Sequence, residues 1–452
     1  MSILVLKNFR IVDETRDARG SVLVEDGIIK QLCLETDDNY NSASKNMEDI
    51  EKHAEAVIDG SISKQKGFSE QGNLVLMPAF VDLHAHFREG GVPQSTAEYQ
   101  TEKNNILSEN LKSACLAAAA GGFGTVVCMA NAKPVTDTIA KARSIKKQCD
   151  ALGLVDVYPV LSLTKGMEGM ELSEITLLKE PEFDSEVRLL SEDGKDLAND
   201  GIFLAAMKEA ARTGIPVSCH CDLDGENNAT ERVLLLQKKA QCRLHIAHVS
   251  TKEAAAMIER AKNSELTCEV TPHHIALTAE DAALLGAESH GRVNPPLRTE
   301  DDRKALIAAI LNGTIDAIAT DHAPHTEKDK EKGSPGFTGL ETAFAVCYST
   351  LVIPGFIGLS KLSSLMSASP ARILGLDKGS GNRGLISAGL RADLTAADIG
   401  TAWAVNPAEF FSHGKNSPYT GKKLTGRIVL TIRGGVPVYD RLNIMQDNKK
   451  KY

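Results

Sequence analysis

The chain has 452 residues, of which 42% are apolar, so it can bury more core than one ordinary domain needs. Its formal net charge is −9 without a dense basic patch, which argues against nucleic acid as the main partner. The 9 Cys include no Cys-x-x-Cys pair, which favours a reducing, cytoplasmic setting. Early charged residues exclude a signal peptide, and glycines interrupt the longest apolar run, 114–130, so we expect no membrane span.

The two ends of the chain are predicted to build one small β-sandwich. Residues 3–34 alternate apolar and polar side chains around turns, and the segments 384–397 and 425–439 return to short strands. The polar stretch 37–71 is predicted to be a surface excursion with one apolar island at 56–58. We place the N-terminal part of the sandwich at residues 1–75 and the C-terminal part at residues 381–452.

Residues 76–380 are predicted to form a (β/α)8 barrel, because short apolar strands alternate there with longer helical patterns. The predicted strands are Leu74–Val81, Gly124–Met129, Val155–Leu161, Val187–Leu190, Pro216–Cys219, Arg243–Ala247, Leu266–Val270 and Asp316–Ala319. Helical patterns between several of them include 201–213, 252–262 and 301–312. A doubly wound sheet is the competing fold, but no strand is followed by a Gly-x-Gly-x-x-Gly turn.

The first barrel strand leads into a His-x-His pair, His84 and His86. Side chains alternate along an extended strand, so the two imidazoles point the same way and form half of a cation site. Arg88 continues that face and could hold an anion beside the metal. The alternative interpretation is a pair of hydrogen-bonded core histidines.

Chemistry in such a barrel sits where the strands end, and most of the chain's 12 histidines follow predicted strands. The candidates in chain order are His84, His86, Arg88, Asn131, Glu192, Asp193, His220, His248, His273, His274, Asp321, His322 and His325. This set suits two divalent ions, with Zn2+ preferred, and two ions need a bridging group such as a carboxylate.

At these residues the chain resembles the dihydroorotases of the amidohydrolase superfamily, of the bacterial type in which an aspartate bridges the metals. The motifs that carry the resemblance are DLHAHFRE from Asp82, GGFGTVVCMAN from Gly121, Glu192-Asp-Gly, HIAHVST from His245, Thr271-Pro-His-His, NPPLR from Asn294, TDHAPH from Thr320 and SPGFTGLET from Ser334. The usual Pro-Asn-Thr after the second strand is Ala130-Asn131-Ala132 here, and the Asn survives.

The resemblance implies a zinc-dependent, reversible cyclisation of N-carbamoyl-L-aspartate to L-dihydroorotate in pyrimidine biosynthesis. It implies that His84, His86 and Asp321 bind one Zn2+, that His220 and His248 bind a second, and that Asp193 bridges them. It also implies that Arg88, Asn131 and His325 hold the substrate carboxylate, that Asn294 contacts the ring, and that Asp321 is the general acid and base. A homodimer and an association with aspartate carbamoyltransferase are partners that it leaves open.

Three alternatives remain at this level. Hydantoinase-like relatives bridge their metals with a carboxylated lysine, but here Lys179 precedes the fourth strand and Lys195 lies beyond Asp193. The other two are a cyclic-amide hydrolase acting on hydantoins, dihydropyrimidines or allantoin, and a non-catalytic partner of aspartate carbamoyltransferase. His273 and His274 are expected either to pack or to support the metal ligands from behind. Glu192 is expected to be solvated, and His322 either to orient Asp321 or to be a buried hydrogen-bonded side chain.

Overall fold

The computed structural model describes residues 2–38, 40–61, 74–91, 108–178, 187–379 and 381–441. Its strands, numbered in chain order, are β1 Ile3–Asp13, β2 Arg16–Glu25, β3 Ile28–Leu34, β4 Ala56–Asp59, β5 Leu74–Pro78, β6 Phe80–Ala85, β7 Phe123–Cys128, β8 Asp156–Pro159, β9 Leu190–Ser191, β10 Val217–Cys219, β11 Leu244–Ile246, β12 Leu266–Val270, β13 Ala317–Ile318, β14 Leu394–Ala404, β15 Lys423–Arg433 and β16 Val436–Asp440. The α-helices are Tyr40–Glu51, Leu111–Ala120, Ile139–Leu152, Asp200–Thr213, Glu226–Ala240, Lys252–Ala261, Pro272–Ala276, Ala279–Leu285, Glu300–Leu311, Glu327–Glu331, Ala343–Cys347, Leu359–Ser363 and Ser369–Ile373. Shorter helical turns lie between some of these elements.

The three helices predicted at 201–213, 252–262 and 301–312 form within one residue of those limits at each end. Each begins after a side chain whose oxygen accepts a hydrogen bond from a free backbone N–H of the first turn, which stabilises the helix start. These capping residues are Asn199, Thr251 and Thr299. Within the described ranges, no helix combines the length and the apolar character needed to cross a bilayer.

The predicted barrel forms from β6 to β13. Parallel pairing joins β6, β7 and β8 into one sheet and β9 to β13 into another. Backbone hydrogen bonds close both seams: His86 N donates to His322 O over 2.8 Å, and Ser191 N donates to Leu161 O over 3.3 Å. Hydrogen bonding therefore runs around all eight strands, and the fold class is a (β/α)8 barrel beside a small β domain.

The predicted first strand, 74–81, is in fact two strands in two different sheets. β5 pairs with β1 and β14 of the small domain, whereas β6 pairs with β7 of the barrel. Between them, Ala79 donates its N–H to Asp393 O over 2.9 Å. Every residue from 74 to 87 is buried, so polarity gives no sign of the break, and Pro78, which ends β5, is the local mark of it.

The small domain takes strands from both ends of the chain, as predicted. Its sheet has the order β16-β15-β14-β5-β1-β2-β3, with β4 beside β1, so the apolar island at 56–58 is a strand. Segment 384–393 is not a strand, and β14 begins later than predicted. The strands share one core that includes Leu6, Phe9, Leu76, Leu394 and Val429. The limits 1–75, 76–380 and 381–452 stay a prediction.

Candidate metal and substrate site

The six predicted metal ligands converge at the carboxyl ends of the barrel strands, and all six are buried. His86 Nε2 lies 3.1 Å from Asp321 Oδ1, and His84 Nε2 lies 3.6 Å from the same oxygen. The ligand atoms of these three residues are close enough to hold one metal ion. Both imidazoles of the His-x-His pair therefore face the same carboxylate, as strand alternation predicts.

A second group of ligand atoms lies beside the first. His220 Nδ1 is 2.9 Å from His248 Nε2, and these nitrogens are 3.5 Å and 3.4 Å from Asp193 Oδ1. Two imidazole nitrogens and a carboxylate oxygen that face one another at such distances need a proton or a cation between them.

Asp193 stands between the two groups. Its Oδ1 faces His220 and His248, whereas its Oδ2 lies 3.2 Å from His84 Nε2 and 3.5 Å from His86 Nε2. One oxygen toward each group is the arrangement that a bridging carboxylate needs. Gly194 follows Asp193 directly and has a φ of +89°. A larger residue would be strained there, and its Cβ would lie 2.7 Å from the Asn131 amide nitrogen.

The charge state of the carboxylates suits cation binding. Burial alone would raise the pKa of Asp193, but the imidazoles around it, His84 first, hold that pKa well below its usual value. Burial likewise opposes ionisation of Asp321, and His86 and His84 lower its pKa. Within the described residues, His84 Nε2 and Asp193 Oδ1 are buried without a hydrogen-bond partner. Ionised oxygens and unpaired imidazole nitrogens fit divalent metal ions.

Backbone strain is concentrated in this cluster. Arg88, His248 and Asp321 have φ values of 63°, 34° and 45°, in the left-handed region that side chains with a Cβ rarely adopt. Each residue comes just after a barrel strand. Strain of about 1–3 kcal/mol per residue persists only where the surrounding structure imposes it, and it marks functional sites.

A cavity of about 250 Å³ opens beside the ligands, and all four predicted substrate-binding residues line it: Arg88, Asn131, Asn294 and His325. Among the described residues, Arg88 Nε has no hydrogen-bond partner. Burial, and then the charge of Arg88, lower the pKa of His325 to about 3, so its imidazole is neutral. A half-buried guanidinium beside a neutral imidazole is suited to an anionic group of a ligand.

Two of these residues also contact predicted metal ligands, which sequence reasoning did not anticipate. Asn131 Oδ1 lies 2.8 Å from His86 Nδ1, so the amide orients that ring through its remote nitrogen. The Asn294 side chain also contacts a residue of the second group, but through its amide nitrogen, which lies 3.1 Å from His220 Nε2 and donates to it.

Glu269 is a further functional residue that the sequence analysis missed. It lies inside β12 and is completely buried. Its carboxylate accepts hydrogen bonds from His84 Nδ1 over 2.9 Å and from His245 Nε2 over 3.1 Å. Burial opposes ionisation, but these two imidazoles lower the pKa of Glu269 to about 2. A carboxylate on Nδ1 keeps the proton there and leaves Nε2 of His84 free to bind a metal.

Lys330 is a second missed residue, and it shapes the cavity wall. Its buried ammonium group donates to the carbonyl oxygens of Arg292, Ser334 and Gly336 over 2.8, 2.9 and 3.0 Å. Ser334 and Gly336 line the cavity, so one side chain holds this wall in place.

The remaining histidines lie outside the ligand set. His274 contacts Thr271 Oγ1 over 2.8 Å and donates to Pro295 O over 3.0 Å, which is a packing role. His322 Nε2 faces Glu109 over 3.2 Å rather than Asp321, so it is a buried hydrogen-bonded side chain.

The expectation that Glu192 is solvated was wrong. It is buried and accepts hydrogen bonds from the backbone N–H groups of Leu163 and Thr164, over 2.9 and 3.1 Å. The side chain points away from Asp193, as predicted, but into a neighbouring loop that it holds by these bonds. The local sequence around Glu192 could not predict these bonds, because the donors lie 28 and 29 residues away in the chain.

Comparison with known proteins agrees with this site. Residues 75–438 match the model of the amidohydrolase family, and the chain therefore belongs to that family. It is 36% identical to a dihydroorotase from Clostridium botulinum (strain Eklund 17B / Type B), over 97% of this chain and 100% of the relative. It is 34% identical to a dihydroorotase from Geobacillus sp. (strain WCH70), over 93% of this chain and 98% of that one. The resemblance predicted from the motifs is confirmed.

Solved structures show the same fold. An L-hydantoinase (dihydropyrimidinase) from Arthrobacter aurescens matches with a TM-score of 0.78 at 24% identity, covering 98% of this chain and 97% of that one. This match supports the barrel and its small β domain. At 24% identity it gives no information about the substrate of this chain.

Proposed function

We propose that the chain is a dihydroorotase, which interconverts N-carbamoyl-L-aspartate and L-dihydroorotate with two Zn2+ ions. The observation that carries the proposal is one cavity that joins the ligand cluster around Asp193 to the half-buried Arg88 side chain. The ligand cluster suits cleavage of an amide, and the guanidinium suits a substrate that bears a carboxylate. Relatives named dihydroorotase, similar over nearly their whole length, support the same substrate.

The metal assignment is part of this proposal. His84, His86 and Asp321 would hold one ion, His220 and His248 would hold a second, and Asp193 would be shared between them. Imidazole with carboxylate is a ligand set that Zn2+ favours. Bound divalent cations supply Lewis acidity, which polarises the ring carbonyl and acidifies the attacking water. Lys195 is exposed, so among the described lysines it is no candidate for a carboxylated bridge.

The chain's own groups orient the ring and move the proton. Arg88 holds the carboxylate of dihydroorotate, with Asn131 and His325 beside it. In the hydrolytic direction Asp321 accepts the proton of the attacking water as the new C–O bond forms. It then passes that proton to the ring nitrogen as the C–N bond breaks. Cyclisation runs the same transfers in reverse.

Substrate choice tests the proposal. Dihydrouracil has the same ring as dihydroorotate without the carboxylate, so it isolates the contribution of Arg88. We expect high kcat/KM for dihydroorotate and little turnover of dihydrouracil, hydantoin or allantoin. Arg88→Met should lower kcat/KM for dihydroorotate by about 10–150-fold, because loss of one charge-assisted hydrogen bond costs about 1.5–3 kcal/mol. The kcat/KM for dihydrouracil should stay unchanged. Preferred turnover of the uncharged rings would overturn the assignment.

Asp321→Ala tests the proton-transfer role. Metal content should stay largely intact while turnover falls by about 10²–10⁴-fold, the usual contribution of a positioned acid and base. Normal turnover would refute the role. A metal assay on zinc-replete protein is the companion measurement, and protein without metal would favour a non-catalytic scaffold instead. Cytoplasmic location, a homodimer and a carbamoyltransferase partner stay predictions.

A further inference from the structure

A second cavity, of about 900 Å³, lies at the opposite end of the barrel. Its lining includes Arg188, Pro216 and Arg243, which come just before β9, β10 and β11. The metal ligands follow their strands, so the two cavities occupy opposite faces and share no lining residue. The proposed reaction makes no use of this second cavity.

The lining of this cavity is strongly cationic, although the chain as a whole has a net charge of −9. Its charged residues are Arg188, Arg212, Arg243, Lys378, Arg383 and Arg391. No Asp or Glu belongs to the lining that the described residues form.

Carboxylates behind the cavity wall neutralise part of this charge. Asp156 accepts from Arg383 over 2.7 Å and from Arg391 over 2.6 Å. Asp393 lies 3.1 Å and 3.2 Å from the same two arginines. Arg433 also donates to Asp156, over 2.6 Å, so this base holds three arginines and two carboxylates, and it ties β8 to the segment before β14. Arg212 is paired separately with Glu209, over 3.0 Å.

The charge of Arg243 and Lys378 is left without a carboxylate partner in the described part of the chain. Arg243 donates to two backbone carbonyl oxygens, those of Gly214 over 3.3 Å and Ile373 over 2.8 Å. Carbonyl oxygens fix the direction of a guanidinium group but do not cancel its charge. A phosphate monoester, with a charge of about −1.5 to −2 at pH 7, matches the two cations.

The other walls of the cavity are apolar. Ile215, Leu374 and Leu376 line it, together with the ring of Tyr158, over which Arg188 lies at 5.7 Å. The volume falls within the range of about 300–1,000 Å³ that small-molecule sites occupy. We propose that this cavity binds a phosphorylated organic anion of nucleotide size, the phosphate on Arg243 and Lys378 and the organic part on the apolar wall.

The test is calorimetric titration of the metal-loaded protein at an ionic strength of about 0.15 M. Adenosine monophosphate, ribose 5-phosphate and inorganic phosphate are the probes, and saturating dihydroorotate is the competitor. Saturable binding of adenosine monophosphate, unaffected by dihydroorotate, is the expected result. The double variant Arg243→Gln, Lys378→Gln should raise its Kd by about tenfold or more, because two charge-assisted bonds are lost.

A matched double variant, Lys304→Gln with Lys423→Gln, removes the same charge from exposed positions outside the cavity and should keep Kd within about twofold. Lys378→Gln alone, at an exposed side chain, preserves the test if the Arg243 change impairs folding. Ribose 5-phosphate equal to the nucleotide would identify a sugar phosphate as the ligand of the same site. Three results would overturn the proposal: no saturable binding of either organophosphate, inorganic phosphate binding as tightly as both, or displacement by dihydroorotate.

Discussion

Replacing Glu269 by Gln tests whether this carboxylate determines which nitrogen of His84 is free to bind metal. In the native chain one carboxylate oxygen accepts from His84 Nδ1 and the other from His245 Nε2. Glutamine has nearly the same shape but only one acceptor oxygen, so one imidazole must face an NH2 group. When that imidazole is His84, Nδ1 must accept, and the proton moves to Nε2, the atom that faces Asp193 and Asp321.

The expected cost is a metal affinity about 10–100-fold weaker, or about 1.4–2.8 kcal/mol. Competition with a chromophoric chelator measures this on apo-protein, and circular dichroism confirms that the variant is folded. Thr267→Val is the control, because it removes only the 2.8 Å contact to His245 Nδ1 and leaves Glu269 in place. It should keep the affinity within about threefold. A folded Gln variant that binds metal as tightly as the native chain would refute the reasoning.

Three further predictions concern stability and the cavity wall. Asp156→Asn leaves three buried or half-buried arginines short of an anion and should cost about 3–5 kcal/mol in urea unfolding at pH 7. Burial opposes ionisation, but the arginines hold the pKa of Asp156 far below its ordinary value, so the loss should persist down to about pH 4 and shrink only in stronger acid. Burial raises the pKa of Glu341 to about 7, so the native state loses up to about 3 kcal/mol as pH rises from about 4.5 through 7. Glu341→Gln should flatten that part of the stability curve, and an unchanged slope would contradict the assignment. Lys330→Met frees the carbonyls of the cavity wall at 334–336 and should raise KM for dihydroorotate about tenfold with kcat within about threefold, whereas unchanged KM in steady-state kinetics would show that the wall needs no clamp.

Much of the ligand cluster could be predicted because it follows from two simple regularities. Alternation along a strand places His84 and His86 on one side, and parallel strands closed into a barrel bring their carboxyl ends to one rim. Apolar runs separated by helical patterns were enough to predict that barrel. The six ligand residues then had to be near neighbours, and the structure brings them together.

The break between β5 and β6 was not predictable in the same way. Both strands are buried on both faces, so no change in polarity marks Ala79, where the chain leaves one sheet and enters another. The predicted single strand, 74–81, had the right composition and the wrong partners. Strand composition records burial, whereas strand pairing is decided by neighbours distant in the chain.

By itself, the sequence determined the family, the barrel and the kinds of side chain that gather where its strands end, because these depend on local periodicity and on motifs of a few residues. Only the tertiary structure decided which hydrogen-bond partners hold those side chains in place. Glu269 meets His84 across 185 residues of sequence, and Lys330 meets Arg292 across 38. A buried polar group bonds to the partner that packing places beside it, and a local sequence pattern does not predict which residue that will be.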